Sequence, residues 1–123
     1  MKTPCEIVVW YLLPAIRSEL AKALENEGVR QKDIAVYFGT TPAAISQYGS
    51  GKRGKAIEFP AEITKKIEEL AKRIAKEKIS PGEITKNMCL ICGLTRSTMI
   101  LCKVHRSIEE VPEGCNACLQ HSL

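Results

Sequence analysis

The sequence of 123 residues has little that would suit a membrane protein, a secreted protein or a multidomain enzyme. Its longest apolar run, Ile7 to Leu13, has seven residues, whereas a membrane-spanning helix needs about 20. No short basic segment leads into an apolar stretch and a small-residue cleavage site, so we expect an intracellular, cytoplasmic protein. The length excludes a nucleotide-binding unit joined to a substrate domain, and it excludes any barrel enzyme.

Aromatic side chains are also scarce, at 5% of the residues, and there are only two histidines. Apolar residues make up 45% and charged residues 26%, which is typical of a globular chain with one modest core. The sequence has no nucleophile–base constellation and no cofactor-binding loop. We therefore expect neither an enzyme nor a small-molecule substrate, and a thiol oxidoreductase using a C-x2-C pair is the enzymatic alternative.

Positive charge is concentrated in the middle of the chain. Residues 29–59 contain five basic and two acidic residues, a net charge of +3, and residues 60–87 contain seven basic and five acidic residues, a net charge of +2. Residues 1–28 have a net charge of −1, and residues 88–123 have none. An anionic partner is therefore expected to bind the central part.

The apolar spacing predicts two long helices. The first begins near Pro4, is kinked or restarted at Pro14 and ends at Gly28. Because it carries apolar residues on several sides, including Trp10 and Tyr11, it must be covered by its own domain or by a second copy of the chain.

The second long helix begins near Pro60 and has one apolar stripe, with charged residues on its other faces. The stripe consists of Ile63, Ile67, Leu70 and Ile74. The sequence Ser80-Pro81-Gly82 ends this helix and can begin another, with Ser80 as its cap. We place a boundary there, between a helical domain over 1–79 and a small module over 80–123.

Between the long helices, residues 31–50 have the pattern of two short helices that cross closely around a tight turn. Ala35 is small at the crossing, Gly39 can adopt the positive φ of the turn, and Thr41 and Pro42 suit the start of the second helix. The residues expected to face inward are Ile34, Phe38, Ala44, Ile45 and Tyr48. The outer face of the second helix then has small or polar residues: Thr41, Pro42, Ala43, Ser46, Gln47 and Ser50. Such a face allows a helix to enter the major groove of DNA.

These residues also carry a family resemblance. Residues 29–59 resemble a helix-turn-helix of the phage-repressor/Cro type, the xenobiotic-response-element-like regulators, and TPAAISQYGSGKRGK is similar to their recognition helix and following basic loop. The whole frame, from TPCEIVVWYLLPAIRSELAKAL to the cysteine-rich tail, resembles predicted archaeal transcriptional regulators. The resemblance implies a sequence-specific regulator that binds double-stranded DNA.

The resemblance also implies roles for individual residues. Gln47 would contact an adenine edge, and Ala43 and the Thr41 methyl would contact thymine methyl groups. Ser46 and Ser50 would bond bases or phosphates. The remaining positions would contact the DNA backbone: Gln31, Lys52, Arg53 and Lys55.

The tail contains five of the six cysteines in a C-x2-C-x9-C-x2-H-x9-C-x2-C pattern. Its residues are Cys89, Cys92, Cys102, His105, Cys115 and Cys118. A two-residue gap lets both side chains of a pair reach one metal ion, and Cys92-Gly93 resembles a zinc knuckle. A segment this short usually needs a metal or disulfides to fold, so we predict a metal centre with the five cysteines as candidate ligands and His105 as a possible one.

The identity of the metal stays open between Zn2+ and a 4Fe–4S cluster. Paired C-x2-C motifs favour zinc, whereas five cysteines exceed the four ligands of one zinc site and would suit a redox- or iron-sensing cluster. A short strand is predicted over 98–104. Cys5 is expected to be a packed thiol.

Together these features predict a mainly α protein: a helix-turn-helix domain of about five helices with a small cysteine-rich metal-binding module at its C-terminus. We expect a homodimer, because one recognition helix contacts too few base pairs for useful specificity. The alternative function is a protein-interaction adaptor with a structural zinc module.

Overall fold

The computed structural model describes residues 4–49 and 57–96, and the single positions 98, 100, 103, 104 and 106. All the regular elements in this part of the chain are helical, in agreement with the predicted mainly α class. They are α1 (Pro4–Ile7), a π-helical turn (Val8–Leu12), α2 (Leu13–Asn26), α3 (Gln31–Phe38), α4 (Pro42–Gly49), α5 (Ala61–Glu77) and α6 (Pro81–Arg96). None of these helices is both long and apolar enough to span a membrane.

The first three elements follow one another without a break, and Pro14 explains the π-helical turn between α1 and α2. Proline has no N–H to donate, so the regular hydrogen-bond ladder is interrupted at this position. The Leu13 amide instead donates to the carbonyl of Val8, five residues earlier. The predicted irregularity at Pro14 is thus confirmed, as is the end of the helix before Gly28, which has φ +87°.

The core lies where α2 packs against α4 and α5. On α2, Ile16, Leu20 and Leu24 are buried at helical spacing. The four predicted stripe residues of α5 are all buried against them. A fully buried isoleucine or leucine contributes about 1.5–3 kcal/mol relative to an exposed one, so this interface is the main source of stability.

A short, well-capped connection joins α5 to α6. Lys78 ends α5 in the left-handed conformation with φ +50°. The Ser80 hydroxyl accepts a hydrogen bond from the Glu83 amide at 3.3 Å, so the predicted cap is confirmed. Across the helix pair, Arg73 Nη1 donates to Asn87 Oδ1 at 3.3 Å. One buried cluster extends from α2 and α5 to Ile84 and Cys92 of α6, while the division at residue 79/80 stays a prediction.

The strand predicted over 98–104 is wrong at the positions that the structure describes. Residues 100, 103 and 104 are helical. Ile100 and Val104 are both buried, and their spacing of four places them on one helical face. The strand is excluded by the helical backbone at these positions and not by this spacing, since residues four apart share a face in a strand as well.

Candidate functional site

The turn after α3 has the geometry that the sequence predicts. Gly39 is left-handed, with φ +64° and ψ 38°. The Thr40 amide donates to the Ala35 carbonyl at 2.9 Å and the Gly39 amide to the Val36 carbonyl at 3.2 Å. This pairing satisfies the carbonyls of Ala35 and Val36 in the last turn of α3 and reverses the chain, so that α4 packs directly on α3.

Thr41 begins α4 as its N-cap. Its Oγ1 accepts a hydrogen bond from the Ala44 amide at 3.2 Å, and its carbonyl accepts one from the Ile45 amide at 3.2 Å. Ala44 and Ile45 are buried, with 4% and 0% exposure. The cap sets the direction of the helix, and these two side chains determine which face is turned away from the core.

The opposite face of α4 is open to solvent. Its described residues combine small apolar, hydroxyl and amide side chains that are all exposed: Thr41, Pro42, Ala43, Ser46 and Gln47. Ser50, like the side chain of Tyr48, lies outside what the structure describes. The described face has no charged or bulky side chain, so another macromolecule can approach the helix backbone closely.

Gln31, predicted to contact the DNA backbone, is exposed at the first position of α3. Its Nε2 donates to Glu25 Oε1 at 3.3 Å, which links the start of α3 to the end of α2. The predicted phosphate-binding residues Lys52, Arg53 and Lys55 lie outside the described residues.

The first cysteine pair lies within α6, where Cys89 is exposed and Cys92 is buried. The knuckle-like turn expected at Cys92-Gly93 is wrong, because Gly93 is part of the continuous helix. The helix persists here because Ile84, Ile91 and Cys92 are buried in the core. Side chains three residues apart in a helix are neighbours, so the pair still offers two thiols to one metal ion.

Both thiols line a cavity of about 320 Å³ between α6 and the beginning of the fold. Tyr37 and Phe38, at the end of α3, line the same cavity, and so does Arg17 of α2. The cysteine pair is therefore adjacent to the helix that leads into the Gly39 turn. The sequence does not reveal this contact, because it depends on how α6 packs.

Burial raises the pKa of the Cys92 thiol above its ordinary value. The positive charge of Arg96 lowers this pKa and the neighbouring Cys89 raises it, but the effect of burial is the largest. Without a metal ion, Cys92 is consequently a neutral thiol at pH 7.

The described residues contain no group of three or more histidine, cysteine or acidic side chains placed to hold a metal. Cys102, His105, Cys115 and Cys118 lie outside them, so the structure places two of the predicted ligands. Those two fit half of a four-thiolate site, because they lie three residues apart in one helix and line the same cavity. Arg96, buried one turn after Cys92, was not singled out from the sequence, although its spacing of four from a candidate ligand was a usable signal.

Comparison with known proteins identifies no relative of this chain. No protein-family model matches it, and no curated protein or solved structure is significantly similar to it. Any function must therefore be argued from its own residues.

Proposed function

We propose that this protein is a sequence-specific DNA-binding transcriptional regulator of the helix-turn-helix class, with a cysteine-ligated metal centre in its C-terminal module. The observation that supports it best is the α3–turn–α4 unit. A left-handed Gly39 and a capping Thr41 position a helix whose buried side holds Ala44 and Ile45 and whose outer side is small and polar. That combination is what a recognition helix needs in order to enter the major groove.

In this proposal α4 reads the bases. Gln47 has an amide that can pair with the N6 and N7 atoms of adenine, and Ala43 and Thr41 offer methyl groups to thymine. Both Gln47 and Ala43 are exposed. Gln31 and the basic residues Lys52, Arg53 and Lys55 bind phosphates, in keeping with the positive charge of the central segment.

The candidate ligands of the metal centre are Cys89 and Cys92 in α6 and, from the tail, Cys102, Cys115 and Cys118. His105 is the sixth candidate. When bound, Zn2+ or a 4Fe–4S cluster supplies a cross-link between distant thiolates, and the cluster adds sensitivity to oxidation or iron supply. The chain then conveys a change at α6 to the DNA-binding unit. Cys92 shares a cavity with Phe38, the residue before Gly39, so a movement of α6 alters the packing of α3.

We further propose that the regulator acts as a homodimer. Val9 and Trp10 are adjacent on the N-terminal helix and are 58% and 68% exposed, although their neighbours Ile7 and Val8 are buried. This apolar surface supports contact with a second copy. A dimer would present two copies of α4, which read half-sites about one DNA turn apart.

The DNA-binding proposal is tested by selecting binding sites from randomised duplexes and measuring affinity by fluorescence anisotropy. We expect a site with two-fold symmetry. Replacing Gln47 with alanine should weaken binding to that site by about 1–3 kcal/mol and relax preference at one position of each half-site. Asn26→Ala, which removes another exposed amide at the end of α2, is the matched control and should have no effect.

Salt dependence separates phosphate contacts from base contacts in the same assay. Arg53→Gln should weaken binding to all sequences similarly and reduce the slope of log affinity against log salt by about 1. If no duplex is selected, or if Gln47→Ala and Asn26→Ala behave alike, the protein-interaction adaptor becomes the better explanation.

The metal centre is tested by an absorbance spectrum and metal analysis of protein purified without oxygen. A brown sample with about four irons per chain identifies the cluster, and a colourless sample with about one zinc per chain identifies a structural site. Protein that contains neither metal and cannot be loaded with either would contradict this part of the proposal.

A further inference from the structure

Arg96 is buried, and two of the three nitrogens of its guanidinium group have no hydrogen-bond partner. It is the last residue of α6 and is 5% exposed. Its Nε and Nη2 atoms are both buried, and neither has a hydrogen-bond partner. No carboxylate in the described part of the chain forms an ion pair with it. Buried N–H donors without an acceptor are destabilising, so the position of these two nitrogens needs an explanation.

The candidate ligand Cys92 is one helical turn away from Arg96. Residues four apart lie on the same face of a helix, and Cys92 is itself buried, at 6% exposure. The guanidinium therefore lies on the same buried face of α6 as the thiol that would become a thiolate on metal binding.

A centre with four thiolate ligands is itself anionic. Four thiolates bring more negative charge than one Zn2+ cancels, and a 4Fe–4S core with four thiolates also has a net negative charge. Burying such a centre is costly unless donors surround its sulfurs, and groups that donate to metal ligands typically change metal affinity 10- to 100-fold. A guanidinium is suited to this task because it is always charged and has several N–H donors.

We infer that Arg96 is the counter-charge of the metal centre, and that its Nε–H and Nη2–H groups donate to the thiolate sulfurs held by Cys92 and Cys89. The inference rests on the proposed metal centre and adds a residue that no ligand pattern contains. It has two opposite consequences. In the metal-free protein Arg96 lowers stability, whereas in the loaded protein it strengthens the binding of metal.

The test uses the full chain, free of metal and reduced, with Arg96→Met as the main variant. Methionine keeps most of the length of the side chain and favours helix, but it removes the charge and the donors. Arg106→Met is the matched control, because Arg106 is an exposed arginine in the same tail. Arg96→Lys keeps the charge without the planar fork of donors.

Anaerobic titration with Co2+ alone, against a competing chelator, gives the affinity from the thiolate-to-cobalt absorbance. We expect Arg96→Met to weaken Co2+ binding about 10-fold or more, Arg96→Lys to recover part of the loss, and Arg106→Met to match the wild type. Thermal unfolding of the metal-free proteins should show a Tm increase of about 3 °C or more for Arg96→Met and none for Arg106→Met.

Three results would overturn the inference, and a fourth would overturn the metal centre on which it rests. Equal Co2+ affinity in the wild type and Arg96→Met overturns the inference and leaves the metal centre in place. A lower Tm for metal-free Arg96→Met also overturns it, because the guanidinium would then have a partner within the chain. Cys92→Ser that binds Co2+ as the wild type does overturns it as well, because Cys92 is then not a ligand. A wild type without thiolate-to-cobalt absorbance overturns the metal centre itself.

Discussion

Replacement of Gly39 by alanine isolates the backbone of the turn between α3 and α4. A Cβ added at Gly39 has no heavy atom within 4 Å, so steric crowding does not contribute. The cost comes from φ +64° and ψ 38°, a conformation that disfavours an L-residue by about 1–2 kcal/mol. Alanine also restricts the unfolded chain, which offsets part of this cost. We expect a net loss of about 1 kcal/mol in the free energy of unfolding.

Gly93→Ala is the matched control and should have the opposite sign. Gly93 lies inside α6, and a Cβ there also has no heavy atom within 4 Å. Alanine is better than glycine in a helix interior by about 0.5–1 kcal/mol, so this variant should be more stable than the wild type. The two substitutions are chemically identical and differ in the backbone conformation that each must adopt.

Urea unfolding followed by circular dichroism, with chelator and reductant present, measures both changes. For a slope of about 2 kcal/mol/M, a change of 1 kcal/mol shifts the midpoint by about 0.5 M. Gly39→Asn should lose less than Gly39→Ala, because asparagine tolerates the left-handed conformation. A midpoint for Gly39→Ala at or above that of the wild type would refute the left-handed turn, and with it the predicted presentation of α4.

The remaining predictions concern the core and the buried thiol. Ile45→Ala should lower the free energy of unfolding by about 2–5 kcal/mol because Ile45 is fully buried, whereas Val36→Ala, at a position that is 69% exposed, should change it by less than about 1 kcal/mol. Comparable losses from both would contradict the assigned faces of α3 and α4. In metal-free protein, burial raises the pKa of Cys92 above the value that this thiol has in the unfolded chain. The unfolded chain therefore loses this proton first, so the free energy of unfolding is unaffected at neutral pH and decreases as the pH rises above about 8.5. Unfolding curves between neutral and alkaline pH should show this decrease in Cys89→Ala but not in Cys92→Ala, and its persistence in Cys92→Ala would assign it to another group.

The local features of the fold could be predicted from the sequence because each depends on neighbouring residues. Glycine at 28 and 39 supplies positive φ angles, and hydroxyls at 41 and 80 cap the helices that follow. The stripe of α5 is confirmed for the same reason, since residues three or four apart lie on one face of a helix. The outer face of α4 follows directly from the burial of Ala44 and Ile45.

The two wrong predictions, a strand over 98–104 and a turn at Cys92-Gly93, each depended on a local sequence signal that the packing of the chain outweighs. The β-type residues of 98–104 predicted a strand, but positions 100, 103 and 104 are helical, and Ile100 and Val104 belong to the buried core cluster. At Cys92-Gly93, a local signal for a turn is outweighed by the apolar face that α6 buries.

Covalent structure and local conformation are enough to predict the helical class, the sharp turn before α4 and the two thiols three residues apart. The helices against which α6 packs, α5 and α3, depend instead on the tertiary structure. That packing buries Cys92, puts the cysteine pair beside Phe38 and leaves Nε and Nη2 of Arg96 without a hydrogen-bond partner. The physical reason is that an apolar stripe specifies that a face must be buried, whereas the neighbour that buries it is set by the shape and volume of the whole core.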